Sequence, residues 1–160
     1  MMRHVRDSAD FVIDTSAYLP AKLRSELLAQ FDSDAREPLQ VNVMSFGFKY
    51  GLPMEADLVY DVRFMPNPYY VENLRRQTGL DEDVSRFVGG FPQTETFLRQ
   101  LKEMLAFLLP QYSAEGKTVL TIAFGCTGGR HRSVAMAHQM AQTVTELGYT
   151  VHESHRDISR

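Results

Sequence analysis

The residues with the clearest chemical potential lie on one short stretch, FGCTGGRHRS, between an apolar run, TVLTIA, and a helical pattern. Paired glycines at a strand-to-helix turn let main-chain N–H groups approach a ligand, and a helix N-terminus attracts negative charge. Arg130, His131 and Arg132 would add charged donors suited to phosphate. We therefore predict that an anion binds on the turn formed by Cys126–Arg132, and that loss of Arg132 weakens this binding without unfolding the domain.

The cysteine in this stretch leaves a second interpretation open. Cys126 and Arg132 are separated by five residues and Ser133 follows, which is the C-x5-R-S spacing of protein tyrosine phosphatase loops. A lowered thiol pKa would make Cys126 a nucleophile there, with Asp61 as the general acid. Because Gly125 replaces the histidine usual in that family, we favour a supporting role for Cys126 and predict no catalytic residue.

An upstream group of polar residues is expected to converge on the same turn. Asp61 and Arg63 are predicted on one side of a strand, Asn67 lies just beyond its end, and Lys49 lies in a glycine-bounded loop. Carboxyl ends of parallel strands meet at one edge of a sheet, which is where ligands gather in such folds. Asp61 could accept from a hydroxyl or an ammonium group. The alternative is that Asp61 and Arg63 form a structural ion pair.

The elements that would position these residues alternate between strand and helix, which predicts an α/β fold with a mainly parallel, Rossmann-like sheet flanked by helices. Predicted strands cover residues 11–13, 39–48, 58–65, 117–125 and 149–157, and predicted helices cover residues 17–31, 94–112 and 133–148. A polar segment at residues 32–38 ends in proline and is the best candidate for a linker.

Composition narrows the class of protein. Of 160 residues, 44% are hydrophobic and 23% charged, which argues against a disordered chain. The net charge of -3 argues against a protein that binds nucleic acid through an overall positive charge. A single cysteine forms no internal disulfide, and no apolar run would span a bilayer, which favours a cytoplasmic location. His152 and His155 do not share a strand face, so we predict no metal site and read the terminal HESHR segment as solvated.

Several longer motifs resemble the C-terminal half of the RapZ family, bacterial RNase adapter proteins also described as P-loop nucleotide-binding proteins (YvcJ in Gram-positive bacteria). The motifs are SFGFKYGLPMEADLVYDVRFMPNPYY, TGLD, FGCTGGRHRSV and HRD. The resemblance implies that residues 1–37 are a remnant of the last strand and helix of an N-terminal P-loop domain plus linker, and that residues 38–160 form a ligand- and RNA-binding domain. The Walker A loop through which family members bind ATP or GTP is absent from this chain.

The same resemblance implies a fold similar to a phosphofructokinase subdomain and a sensor of glucosamine-6-phosphate or a nucleotide sugar. Partners would be small RNA and a ribonuclease or another protein, with self-association into a homo-oligomer and no cofactor. The implied ligand site is Asp61, Arg63, Asn67, Cys126, Thr127, Gly128, Gly129, His131 and Arg132. The chain departs from enterobacterial members at Tyr69, where histidine is common, at Arg130, where lysine is common, and in lacking a basic tail.

Overall fold

The structure is a computed structural model that describes residues 38–160 continuously, together with residues 9, 12–16, 18–20, 22–23 and 26–27. The chain divides into two compact units, Met1–Glu37 and Pro38–Arg160, each of which is treated by itself. In the first unit, the described residues 20, 22, 23, 26 and 27 are helical, as predicted for residues 17–31. Val12 and Ile13 do not form the predicted strand, while Phe11, Leu28, Phe31 and residues 32–37 of the linker lie outside the described residues.

The second unit is built on a four-stranded sheet in which every pairing is parallel. The strand order is β2-β3-β1-β4. The strands are β1 (Gln40–Gly47), β2 (Leu58–Asp61), β3 (Val119–Cys126) and β4 (Thr150–His155), and the helices are α1 (Glu82–Gly89), α2 (Pro92–Ala114) and α3 (Arg132–Glu146). The predicted α/β, Rossmann-like class is confirmed.

The two central strands form because their side chains are buried on both faces. Val41 and Val43 of β1, with Ile122 of β3, join apolar residues of all three helices in one core cluster. The opposite face carries a smaller cluster around Met44 and Phe46, which the loop after β1 covers. Because parallel strands buried on both faces need continuous apolar runs, VLTIAFGC could be recognised as a strand from its composition.

One predicted strand is shorter in the structure than in the prediction. Residues 58–65 were expected to be extended, but β2 ends at Asp61. The Asp61 carboxylate accepts hydrogen bonds from the Arg63 main-chain N–H at 2.9 Å and from the Arg63 side chain, which closes a tight turn directly after the strand. Arg63 therefore lies on this turn and not on the strand, since local side-chain bonds compete with the sheet.

Within the part of the chain that the structure describes, none of the helices is both long and apolar enough to cross a bilayer. The longest, α2, carries a buried row formed by Leu101, Leu105 and Leu109, while its other positions are mostly exposed.

Candidate anion-binding site

The carboxyl ends of the four strands meet at one edge of the sheet. In the strand register, Gly47 pairs with Cys126 and Asp61 pairs with Gly125. Main-chain hydrogen bonds extend the convergence beyond the strands, because the Lys49 N–H donates to the Thr127 carbonyl at 3.3 Å. The predicted meeting of the Lys49 loop, the Asp61–Arg63 segment and the glycine turn (Cys126–Arg132) is therefore present in the structure.

Two glycines let the glycine turn lie directly against the end of β1. A Cβ on Gly47 would lie 2.7 Å from the Gly128 carbonyl carbon, and a Cβ on Gly129 would lie 2.7 Å from the Gly47 nitrogen. Gly129 also has a φ of +78°, which side-chain-bearing residues rarely adopt. Gly128 differs, since the nearest atom to its added Cβ is Cε of Lys49 at 3.9 Å. The surface above Gly128 is thus open to a ligand and bordered by a lysine.

The arginine that starts α3 plays a different part from the one predicted. Arg132 is 6% exposed, and its Nη1 donates to the Arg63 carbonyl at 2.8 Å and to the Met65 carbonyl at 3.0 Å. Its Nη2 lies 3.5 Å from Oγ1 of Thr127. The guanidinium therefore holds the segment after β2 against the glycine turn, and its loss is expected to destabilise the domain, contrary to the sequence-based expectation.

Arg130, the other arginine of the turn, also binds main chain. Arg130 donates from Nη2 to the Arg76 carbonyl at 2.7 Å and from Nε to the Gln77 carbonyl at 3.1 Å. The Gly79 N–H returns a hydrogen bond to the Arg130 carbonyl at 2.9 Å. His131 is buried, and its Nε2 has no hydrogen-bond partner among the described residues. Arg130 thus fastens the turn to the segment around Gln77, and the His131 ring is buried, so anion contacts would fall to the main-chain N–H groups.

Burial of the His131 imidazole lowers its pKa from the ordinary value of 6.5, although the main-chain carbonyls of Arg75 and Gln77 oppose this effect. Arg130 and Arg132, which are close in sequence, lower the pKa further by repulsion. His131 is accordingly held neutral at physiological pH and adds no positive charge to the turn.

The cysteine lies beneath the turn. Sγ of Cys126 is 3.1 Å from Oγ of Ser133 and accepts a hydrogen bond from the Gly129 N–H at 3.3 Å. The residue is 3% exposed and belongs to the main core cluster. This position suits a small residue that supports the turn, which is the interpretation that we favoured from the sequence.

The upstream residues are brought to the same edge but bind one another. Arg63 and Asp61 form a double hydrogen-bonded ion pair, with Nη2 to Oδ2 at 2.6 Å and Nε to Oδ1 at 2.9 Å. The hydrogen bond from Arg63 is the main reason that the pKa of Asp61 is lowered, and Arg132 contributes electrostatically. The structural ion pair considered as an alternative thus exists, and it leaves both side chains partly exposed. The Asn67 side chain accepts from the Tyr69 N–H and caps a short 3-10 helix.

Sequence reasoning missed two residues at this edge. Arg156 and Asp157 follow β4. From the sequence we expected a solvated terminus here and recognised HRD only as a family motif. In the structure, Asp157 is fully buried and Arg156 is largely covered. Oδ2 of Asp157 accepts from the Gly47 N–H at 2.8 Å. The sequence signal that could have identified them is a charged residue directly after the last strand. The residue that follows a parallel strand lies at the edge of the sheet where the carboxyl ends of the strands meet.

Replacement of Gly129 by alanine is expected to destabilise the domain by about 2–4 kcal/mol, since it combines a positive φ with a clash against main chain. Gly128→Ala is the matched control, because its added methyl group meets only the end of a lysine side chain. Urea unfolding of both variants measures the difference. Equal stability of the two variants would contradict the close approach described here.

Removal of the guanidinium in Arg132→Ala is expected to cost about 2–4 kcal/mol, because the Arg63 and Met65 carbonyls lose a charged donor. Arg99→Ala on the exposed side of α2 is the control; it loses only a surface ion pair with Glu103 and should change stability by less than about 1 kcal/mol. Chemical denaturation provides the measurement. A stable Arg132→Ala protein would restore Arg132 as a residue available to a ligand.

Stability is expected to fall as the pH drops below about 6.5, because burial lowers the pKa of both His131 and His155 in the folded state. The unfolded chain then binds more protons than the folded chain, so acid favours unfolding. Melting temperatures between about pH 7.5 and pH 5.5, where carboxylates stay ionised, would show this trend. His155→Gln should flatten the dependence, whereas His152→Gln, at an exposed position of β4, should not.

Comparisons with known proteins identify the family to which the chain belongs. Residues 39–159 match the family model described as the RapZ C-terminal domain. A nucleotide-binding protein of Geobacillus kaustophilus is 48% identical over all 160 residues, which cover 53% of that protein. Nucleotide-binding proteins of Oceanobacillus iheyensis and Bacillus cytotoxicus are 48% and 46% identical over the whole chain, which covers 54% of each. The chain spans about half the length of the curated relatives it matches, and it belongs to the RapZ C-terminal domain family.

Proposed function

We propose that the second unit binds a phosphorylated amino sugar such as glucosamine-6-phosphate, or a nucleotide sugar, at the glycine turn. The observation that carries the proposal is the open main chain at Gly128, which lies on the glycine turn just before α3 begins at Arg132 and is bordered by Lys49. A helix N-terminus offers unpaired N–H groups and partial positive charge to a phosphate. The exposed Thr127 hydroxyl and the Lys49 ammonium would complete the phosphate contacts.

The amino group of the sugar would be recognised by Asp61. This carboxylate is partly exposed and its pKa is lowered, so it is ionised at neutral pH and can accept from an ammonium group. Arg63, to which it is bonded, stacks over the Phe48 ring at 4.2 Å and supports the other side of the site. Asn67 would shape the site through the 3-10 helix that it caps.

The protein would act as a sensor without chemistry of its own, through small RNA or protein partners and as a homo-oligomer. The relatives are named nucleotide-binding proteins, which supports a binding role. In the full-length protein, a further domain with a P-loop would bind ATP or GTP. The exposed basic residues Lys49 and Arg63 border the glycine turn, so RNA phosphates would compete there with the sugar phosphate.

A cysteine-dependent phosphatase is the second candidate, favoured by the Ser133 and Gly129 hydrogen-bonding groups around the Cys126 thiol. The arginine of the motif, however, donates to main-chain carbonyls, and the thiol is 3% exposed. Phosphate transfer would require Arg132 to leave these partners, so binding is the function that the geometry supports better.

Calorimetric titration should show binding of glucosamine-6-phosphate or UDP-N-acetylglucosamine and none of glucosamine, because the phosphate supplies the main contacts. Lys49→Met should weaken binding about tenfold through loss of one charge-assisted contact. Lys102→Met is the matched control; this exposed lysine of α2 pairs with Glu146 and should leave affinity unchanged.

Weaker binding of glucose-6-phosphate, with the difference abolished in Asp61→Asn, would support the assigned role of Asp61. Unchanged affinity in Lys49→Met would contradict the proposed site. Hydrolysis of an aryl phosphate by the wild-type protein, abolished in Cys126→Ser, would favour the phosphatase instead.

A further inference from the structure

The segment after β4 places a carboxylate beneath the proposed ligand site. Asp157 is fully buried, and its Oδ2 accepts hydrogen bonds from the Gly47 N–H at 2.8 Å and from Arg156 at 2.8 and 3.0 Å. Its Oδ1 has no hydrogen bond among the described residues, although Nε of Arg160 lies 3.5 Å away. Burial would raise the pKa of Asp157, but the bonds from Arg156 and Gly47 outweigh it and the pKa is lowered. The buried group is therefore an ionised carboxylate.

Arg156 connects this carboxylate to the loop after β1. Its Nη2 donates to the Gly51 carbonyl at 2.7 Å and lies 3.4 Å from the Gly47 carbonyl. Gly47 and Gly51 flank Lys49, so the Arg156–Asp157 pair holds both ends of the loop that carries this lysine. Tyr50 in the same loop lies between two cations, with Nζ of Lys49 at 4.6 Å and Cζ of Arg160 at 4.9 Å from its ring centroid.

The same carboxylate side chain also packs under the glycine turn. A Cβ on Gly129 would lie 2.8 Å from the Cβ of Asp157. Asp157 thus touches the end of β1 and the glycine turn together, while Arg156 reaches the far end of the Lys49 loop. Neither residue belongs to the proposed set of ligand contacts.

We propose that Arg156 and Asp157 are positioning residues that hold Lys49 and the glycine turn in the arrangement that binds phosphate. The proposal rests on the proposed phosphate-binding function. Gly47 is fixed on one side by Asp157 and on the other by the glycine turn, so freeing its N–H would let the Lys49 loop move away from Gly128. Ligand affinity then depends on an ion pair that the ligand does not contact.

The sign of the effect separates positioning from simple electrostatics. Removal of a negative charge near an anion site should strengthen anion binding if charge alone matters. Loss of the positioning bonds should instead weaken it. Asp157→Asn keeps the shape of the side chain but removes the charge that binds Arg156, so the two explanations predict opposite changes in affinity.

The experiment compares Asp157→Asn with Asp57→Asn in the full chain. Asp57 makes similar bonds away from the site: it accepts from the Thr121 N–H at 2.8 Å and from Lys117 at 2.7 Å, before β2 begins. Affinities for glucosamine-6-phosphate and for inorganic phosphate are measured by calorimetry, and folding is checked by circular dichroism. We expect Asp157→Asn to weaken both affinities about tenfold, as loss of outer-shell partners does at metal sites. Asp57→Asn should leave both affinities unchanged.

Wild-type protein that binds neither probe would overturn the proposed function and this inference together. Wild-type binding with equal or tighter binding by Asp157→Asn would overturn the inference alone. If Asp157→Asn does not fold, Arg156→Lys is the alternative variant, because Arg156 is partly exposed. Lysine keeps the positive charge but cannot reach Gly51 and Asp157 together. Weaker phosphate binding with faster amide exchange at Gly47 and Gly51 would support the proposal, and unchanged values would overturn it.

Discussion

The main chain of Gly47 packs directly against the main chain of Gly129. The arrangement of the segments at the carboxyl ends of the strands depends on this contact. No Cβ fits on either residue, because the nearest main-chain atoms of the opposite segment would lie 2.7 Å away. The contact brings the end of β1 and the glycine turn together, which places the Lys49 loop beside Gly128. The tight turn also requires the positive φ of Gly129, which residues with a side chain rarely adopt.

Three arginines, of which Arg132 is buried, hold the surrounding segments at this edge. Arg132 bonds the segment after β2, Arg130 bonds the segment around Gln77, and Arg156 bonds the loop after β1. Guanidinium groups suit this role, since several donors in a fixed plane can satisfy carbonyls of irregular main chain. Irregular segments buried without such donors would leave carbonyls unpaired, at a cost of about 1–3 kcal/mol each. The basic residues of the turn therefore act mainly by fixing the conformation of the turn, and the positive charge that they bring is of secondary importance.

Much of the fold could be predicted from the sequence, because its signals are local. Continuous apolar runs identified the central strands, and the helix predicted over residues 94–112 corresponds to α2. The end of β2 was misplaced, since the bond from Arg63 to Asp61 competes with extension and composition does not reveal it. The meeting of Lys49 and the glycine turn followed from the rule that parallel strands end at a common edge, which needs no side-chain detail.

What the sequence determined by itself was the class of fold, the strand-to-helix turn with its paired glycines, and the family motifs, because each depends on residues adjacent or periodic along the chain. Only the tertiary structure decided which way the charged side chains point. Arg132 turned inward to carbonyls more than sixty residues away in the chain, and Asp157 became buried under Gly47. Spacing in a motif cannot distinguish a guanidinium that faces a ligand from one that faces main chain, since that choice depends on segments distant in sequence that fold against it.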